Sequence, residues 1–137
     1  MIAMIVGGED MRMGPIPIAL AHAGFEARET CTTEEAEYTV GMHGAKDCVL
    51  VVDAGMLDRR AGSATWNTFL TSHRSVAAVV VTRGEAQLEM QAAASEPHRI
   101  LLENPFDAAA VVAAARRASS IPRLPVRRAR QPLREAG

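Results

Sequence analysis

Alternating strand-like and helix-like segments predict an open α/β fold, a parallel sheet with helices on both faces. Three observations predict it. Short apolar runs recur along the 137 residues with helix-length segments between them. The runs Cys48–Val52 and Val76–Val81 are continuously apolar rather than alternating, as strands buried on both sides require. Finally, three successive runs each end in polar residues: Asp53, Thr82, and Glu103 with Asn104. Open α/β sheets build their sites at the carboxyl ends of strands, so these residues mark where function is expected.

Each element follows from local signals. Ile2–Val6 is a short apolar run ended by Gly7 and Gly8. Pro15 and Pro17 suit a helix start, where a missing N–H is no loss, and that helix ends at Gly24. Phe25–Arg28 is a weaker strand. Thr32 with Glu35 reads as a capping box opening a helix that ends between Gly41 and Gly44. The third strand is Cys48–Val52. A loop holding Arg59, Arg60 and Gly62 leads to a helix over Ser63–Ser72. The fourth strand is Val76–Val81, the segment from Gly84 to Ser95 is helical, and Ile100–Leu102 is the fifth strand. Asp107 caps a last helix ending near Ala118. Residues 1–118 form one domain. From Ser119 to Gly137, Pro122, Pro125 and Pro132 among arginines break every periodicity, which reads as a linker or disordered tail.

Composition excludes several classes. No apolar stretch approaches the ~20 residues of a membrane span. The first residues have no basic flank of the kind a signal peptide carries, so a cytoplasmic protein is expected. Cys31 and Cys48 are too few for a disulfide framework and lack metal-ligand spacing; Cys48 opens an apolar strand and is expected as a buried thiol. His22, His43, His73 and His98 are scattered, with no zinc-type pairing. Charge is uneven: the tail from Ser119 carries five arginines and one glutamate, +4, so the net −1 of the chain leaves −5 on residues 1–118.

The residues at the strand ends carry a resemblance. Val51-Val52-Asp53, Val80-Val81-Thr82 and Asn104-Pro105-Phe106 stand in order after three strands, with 22 residues from Thr82 to Asn104 and 45 from Gly8 to Asp53. Over residues 1–118 the chain resembles the receiver domain of CheY-like response regulators. That resemblance implies a flavodoxin-like (βα)5 open sandwich with strand order 2-1-3-4-5. It implies that Asp53 stands at the phospho-acceptor position and Thr82 at the switch hydroxyl, with a cis bond between Asn104 and Pro105.

Three parts of the receiver machinery are missing. The family holds magnesium with two acids after the first strand plus the acceptor aspartate, because a hard cation wants oxygen ligands. Gly7 and Gly8 stand in the places of those acids, and Glu9 and Asp10 come one or two residues late. The lysine that contacts the phosphoryl oxygens is replaced by Asn104. Lys46, the one lysine, belongs to the opposite end of the sheet, and Arg83 is the nearest cation on the right edge. The switch aromatic is replaced by Leu101, which has neither a ring nor a polar tip. A switch residue without differential contact to the signal cannot be shifted by it.

The leading expectation is therefore a degenerate receiver, not an enzyme, with no catalytic residues and no cofactor. It would act as a phosphorylation-independent signalling, interaction or dimerisation module. The alternative is an active phospho-acceptor, phosphorylated on Asp53 with Mg2+ held by Glu9, Asp10 and Asp53. A nucleotide-binding reading of the glycines after the first strand fails, since Gly7 to Gly14 matches neither the dinucleotide fingerprint nor the P-loop. In the last helix, Ala108–Ala115 has no polar residue at all, and the preceding helix is similarly apolar. A helix on a sheet should show a polar outer stripe. The expectation is a homodimer or partner face formed by the last two helices and the fifth strand, with Leu88, Met90, Val111 and Val112 on it. The tail lacks the aromatics of a nucleic-acid-binding surface, so nucleic acid is expected at most as a weak partner there.

Overall fold

The computed structural model describes residues 1–6, 15–54, 63–82, 96–103 and 107–121. The elements are β1 (Ile2–Val6), α1 (Ile16–His22), β2 (Glu26–Glu29), α2 (Thr33–His43), β3 (Cys48–Asp53), α3 (Ser63–Ser72), β4 (Ala77–Thr82), β5 (Arg99–Glu103) and α4 (Ala108–Ser120). The expected helix between Gly84 and Ser95 and the tail beyond Ile121 lie outside the described residues.

The five strands form one parallel sheet of order β2-β1-β3-β4-β5, as the sequence predicts. Every residue of β1, β3 and β4 is buried, which explains their continuous apolar runs. Side chains alternate between two layers. Met4, Leu50, Val52, Ala78 and Val80 meet α2 and α3 on one face; Ile5, Val49, Val51, Val79 and Val81 meet α1 and α4 on the other. In α3, Trp66, Phe69 and Leu70 point into the first layer, with Trp66 and Phe69 edge-to-face at 5.5 Å. Full burial of each such side chain stabilises the fold by roughly 1.5–3 kcal/mol.

Two helix starts are fixed by side chains. Thr32 Oγ1 accepts from the Glu35 amide at 3.1 Å, and Asp107 Oδ1 accepts from the Ala110 amide at 2.8 Å. The capping box is displaced by one residue, because the Glu35 carboxylate accepts from the Cys31 amide at 2.8 Å rather than from Thr32. The boundaries of five elements differ from expectation: β3 takes in Asp53, β5 runs from Arg99 to Glu103, and three others move. Phe25 is not in β2: its amide donates to Leu20 O at 3.0 Å, still closing α1, and Gly24 turns the chain at φ 102°. Val76 belongs to a turn, its amide bonded to His73 O at 3.1 Å, so β4 begins at Ala77 and includes Thr82. The last helix continues to Ser120, past the expected domain boundary at 118. No helix among the described residues is long and apolar enough to cross a membrane.

Candidate functional site at the carboxyl ends of the strands

The register carries Asp53 and Thr82 to one edge. Val6 of β1 pairs with Val52 of β3, so Asp53 is the first β3 residue beyond the end of β1. Asp53 in turn pairs with Val81, and Thr82 stands one step further, opposite Glu103 of β5. Both Asp53 and Thr82 are wholly buried. Burial of this kind suits a carboxylate and a hydroxyl that are held in place by polar partners, since an unsatisfied buried polar group is expensive.

Alternation along the strands assigns the switch position its place. Thr82 continues the row of Ala78 and Val80 on the α2–α3 face. Leu101, paired with Val80, packs against that same layer and is half-buried. Thr82 and Leu101 are thus diagonal neighbours on adjacent strands and one face, a relation in which side chains still reach each other. The leucine fills that space with methyl groups and offers no hydrogen bond to the hydroxyl or to solvent.

Lys46 sits in the turn before β3, at the opposite end of the sheet from Asp53, as the sequence implies. Gly7, Gly8, Glu9, Asp10, Arg83, Leu88, Met90, Asn104 and Pro105 lie outside the described residues. Among the described residues no group of three or more His, Cys, Asp or Glu side chains is arranged to hold a metal ion. Among the described residues this edge carries the Asp53 carboxylate, the Thr82 hydroxyl and, at the end of β5, Glu103, while the two residues that follow Val6 in the sequence are glycines.

The expected partner face needs one correction. Val111 does not lie on a surface: it is wholly buried, as are Ala115 and Ala118, against the α1–α4 layer of the core. Val112 is half-buried and packs on that same layer. The outer side of α4 is formed by Ala109 and Ala113, then by Arg116, Arg117 and Ser120. Helical periodicity puts residues 111, 114, 115 and 118 on one stripe, and that stripe faces the sheet.

A second polar constellation, at the amino ends of β4 and β5, was not foreseen from the sequence. Arg99 is buried, donating from Nε to Val76 O at 3.2 Å and from Nη2 to His73 O at 2.8 Å. Desolvation lowers its pKa to about 10, against the raising influence of Glu96, so it stays charged at neutral pH. His98 is also buried, and its Nε2 is 2.7 Å from Arg74 O, which makes that nitrogen the protonated donor. Arg74 and Glu96 close the cluster with a salt bridge at 2.8 Å. The available signal was the end of α3: the chain passes from Ser72 to Val76 with no glycine cap, leaving carbonyls that need donors.

No family model and no curated protein sequence matches this chain. Solved structures do. The receiver domain of a response regulator from Clostridium thermocellum superposes at a TM-score of 0.64 with 16% identity, covering 86% of this chain and 93% of that one. The receiver domain of NtrX from Brucella abortus gives 0.66 at 17% identity, covering 89% of this chain and 100% of that one. The chain has the fold of a response regulator receiver domain. A further match with the receiver fold is a response regulator protein from Burkholderia pseudomallei, solved with a phosphorylated aspartic acid, a calcium ion and citrate (TM-score 0.60, 16% identity, covering 87% of this chain and 68% of that one). In this chain Asp53 and Thr82 end β3 and β4 at the carboxyl edge of that fold.

Proposed function

We propose that this chain is a degenerate receiver, a protein-interaction module of a signalling pathway that works without aspartyl phosphorylation and is not an enzyme. The observation that carries the reading is the composition of the acidic edge. β1 lies directly beside β3, and the two residues following Val6 are Gly7 and Gly8, where a receiver needs carboxylates. A phosphoryl group arriving at Asp53 brings negative charge against a buried carboxylate. Among the described residues no cluster of carboxylates stands ready to hold a divalent cation against that repulsion. The half-buried Leu101 at the switch position carries neither a ring nor a polar tip, so a modified Asp53 would have no two-state side chain there to bias.

Intact mass after incubation with acetyl phosphate and magnesium tests the reading, with Asp53→Ala alongside. The expected spectrum shows no added phosphoryl group in either protein. A gain of one phosphoryl that disappears in Asp53→Ala would establish the alternative, an active acceptor whose magnesium is held by Glu9, Asp10 and Asp53. The phosphorylated aspartic acid in the Burkholderia protein is what that outcome would bring this chain to resemble.

The partner of such a module is a protein or a second copy, met through β5 and the last two helices. On α4 the contact would rest on Ala109, Ala113 and the flanking Arg116 and Arg117, with Val112 at its margin. Small side chains let another backbone approach closely while the arginines set the register. Light scattering of the full chain over a wide concentration range checks this; a strict monomer removes the homodimer.

A further inference from the structure

A cleft of about 400 Å³ opens between the end of β2 and the first turns of α2, lined by Arg28, Glu29 and Thr30 from the strand side and by Glu34, Tyr38 and Thr39 from the helix. Its rim is unusual for a surface. Tyr38 is 68% exposed and Met42, one helical turn on, is 62% exposed. β2 is the edge strand, so among the described residues the cleft borders a strand whose outer backbone faces no other strand. A surface with an open strand edge, carboxylates and an exposed aromatic ring is matched to an extended, arginine-bearing segment. The carboxylates take guanidinium forks, and the ring takes a guanidinium face.

The chain carries such a segment, and it starts close by. α4 ends at Ser120 with its last turns against α1, where Arg116 Nη2 donates to Ala23 O at 3.1 Å, just before the chain enters β2. The 16 residues after Ile121 include five arginines and reach roughly 50 Å when extended. β2 is four residues long, about 13 Å. The +4 tail therefore spans the edge strand easily and faces a body of net −5.

We propose that the β2–α2 cleft is the docking site of this chain's own Arg127, Arg128 and Arg130, folding back in cis. The tail then covers Tyr38 and the edge of β2 in the resting molecule. This inference does not rest on whether Asp53 takes a phosphoryl group.

The test uses the full chain, labelled with 15N. Arg127→Ser/Arg128→Ser/Arg130→Ser is expected to shift amide resonances over residues 28–42 and to leave the rest in place. Raising the salt from about 0.01 M to about 1 M, which shortens the Debye length from about 30 to 3 Å, should move wild type along the same direction. A peptide of residues 122–137 added to the triple variant should restore the wild-type positions. Glu34→Gln/Tyr38→Gln in that background, both at exposed positions that leave the core untouched, should weaken the peptide at least about tenfold. Three results overturn the proposal: unchanged resonances over residues 28–42, shifts centred on another surface, or shifts that depend on protein concentration, which would place the tail on another copy.

Discussion

At the carboxyl ends of β3 and β4 the chain buries a carboxylate and a hydroxyl, Asp53 and Thr82; at the amino ends of β4 and β5 it buries an imidazole and a guanidinium, His98 and Arg99. The two sets differ in what surrounds them. Arg99 donates to two backbone carbonyls, His98 to a third, and the Arg74–Glu96 pair closes over them. These groups fasten the end of α3 to β5 and contribute to stability. The opposite edge carries Asp53 and Thr82 at the strand ends, and under the proposed reading it lacks the acids, the lysine and the aromatic that the receiver resemblance calls for. Polar groups at the amino edge hold the fold together; under the proposed reading those at the carboxyl edge no longer carry phosphoryl chemistry.

That contrast can be broken by mutation. Arg99→Met keeps the length of the side chain but leaves the Val76 carbonyl without its donor and removes one of two donors to His73. A destabilisation on the order of 2–3 kcal/mol is expected, read from the midpoint of urea unfolding. Asp53→Asn, isosteric and uncharged at an equally buried position, is expected to change the same midpoint by less than about 1 kcal/mol. If Asp53→Asn costs more than Arg99→Met, the assignment of structural and residual roles to the two edges is reversed. The smallest effect belongs to Glu96→Gln. Its partner Arg74 has a side chain 55% exposed, so the ion pair should contribute no more than about 0.5 kcal/mol, and less in high salt.

Most of the fold was legible because its signals are local or periodic. β1 and α3 lie where the pattern put them, and the caps Thr32 and Asp107 act through the predicted oxygens. β2 was displaced by one residue because Phe25 is apolar for a different reason: it plugs the α1–α4 layer while its amide still closes a helix. Of the site, Asp53 and Thr82 could be read from where apolar runs stop. Arg99 and His98 could not, because an arginine and a histidine before a short apolar run look like the solvated entrance to a strand. Only the three-dimensional meeting of β5 with the uncapped end of α3 reveals the carbonyls they serve. Val111 was misplaced because a run without polar residues does not say which side of the helix faces inward.

The burial of the strands has a mechanical consequence. β1, β3 and β4 are closed to solvent at every residue, whereas β2 and β5 are partly open along most of their length. Amide protons of the three inner strands should therefore exchange only when the whole molecule opens, while those of β2 and β5 exchange through smaller, local fluctuations. Binding or release of a partner at β2 or β5 would accordingly register first in the exchange rates of those two strands.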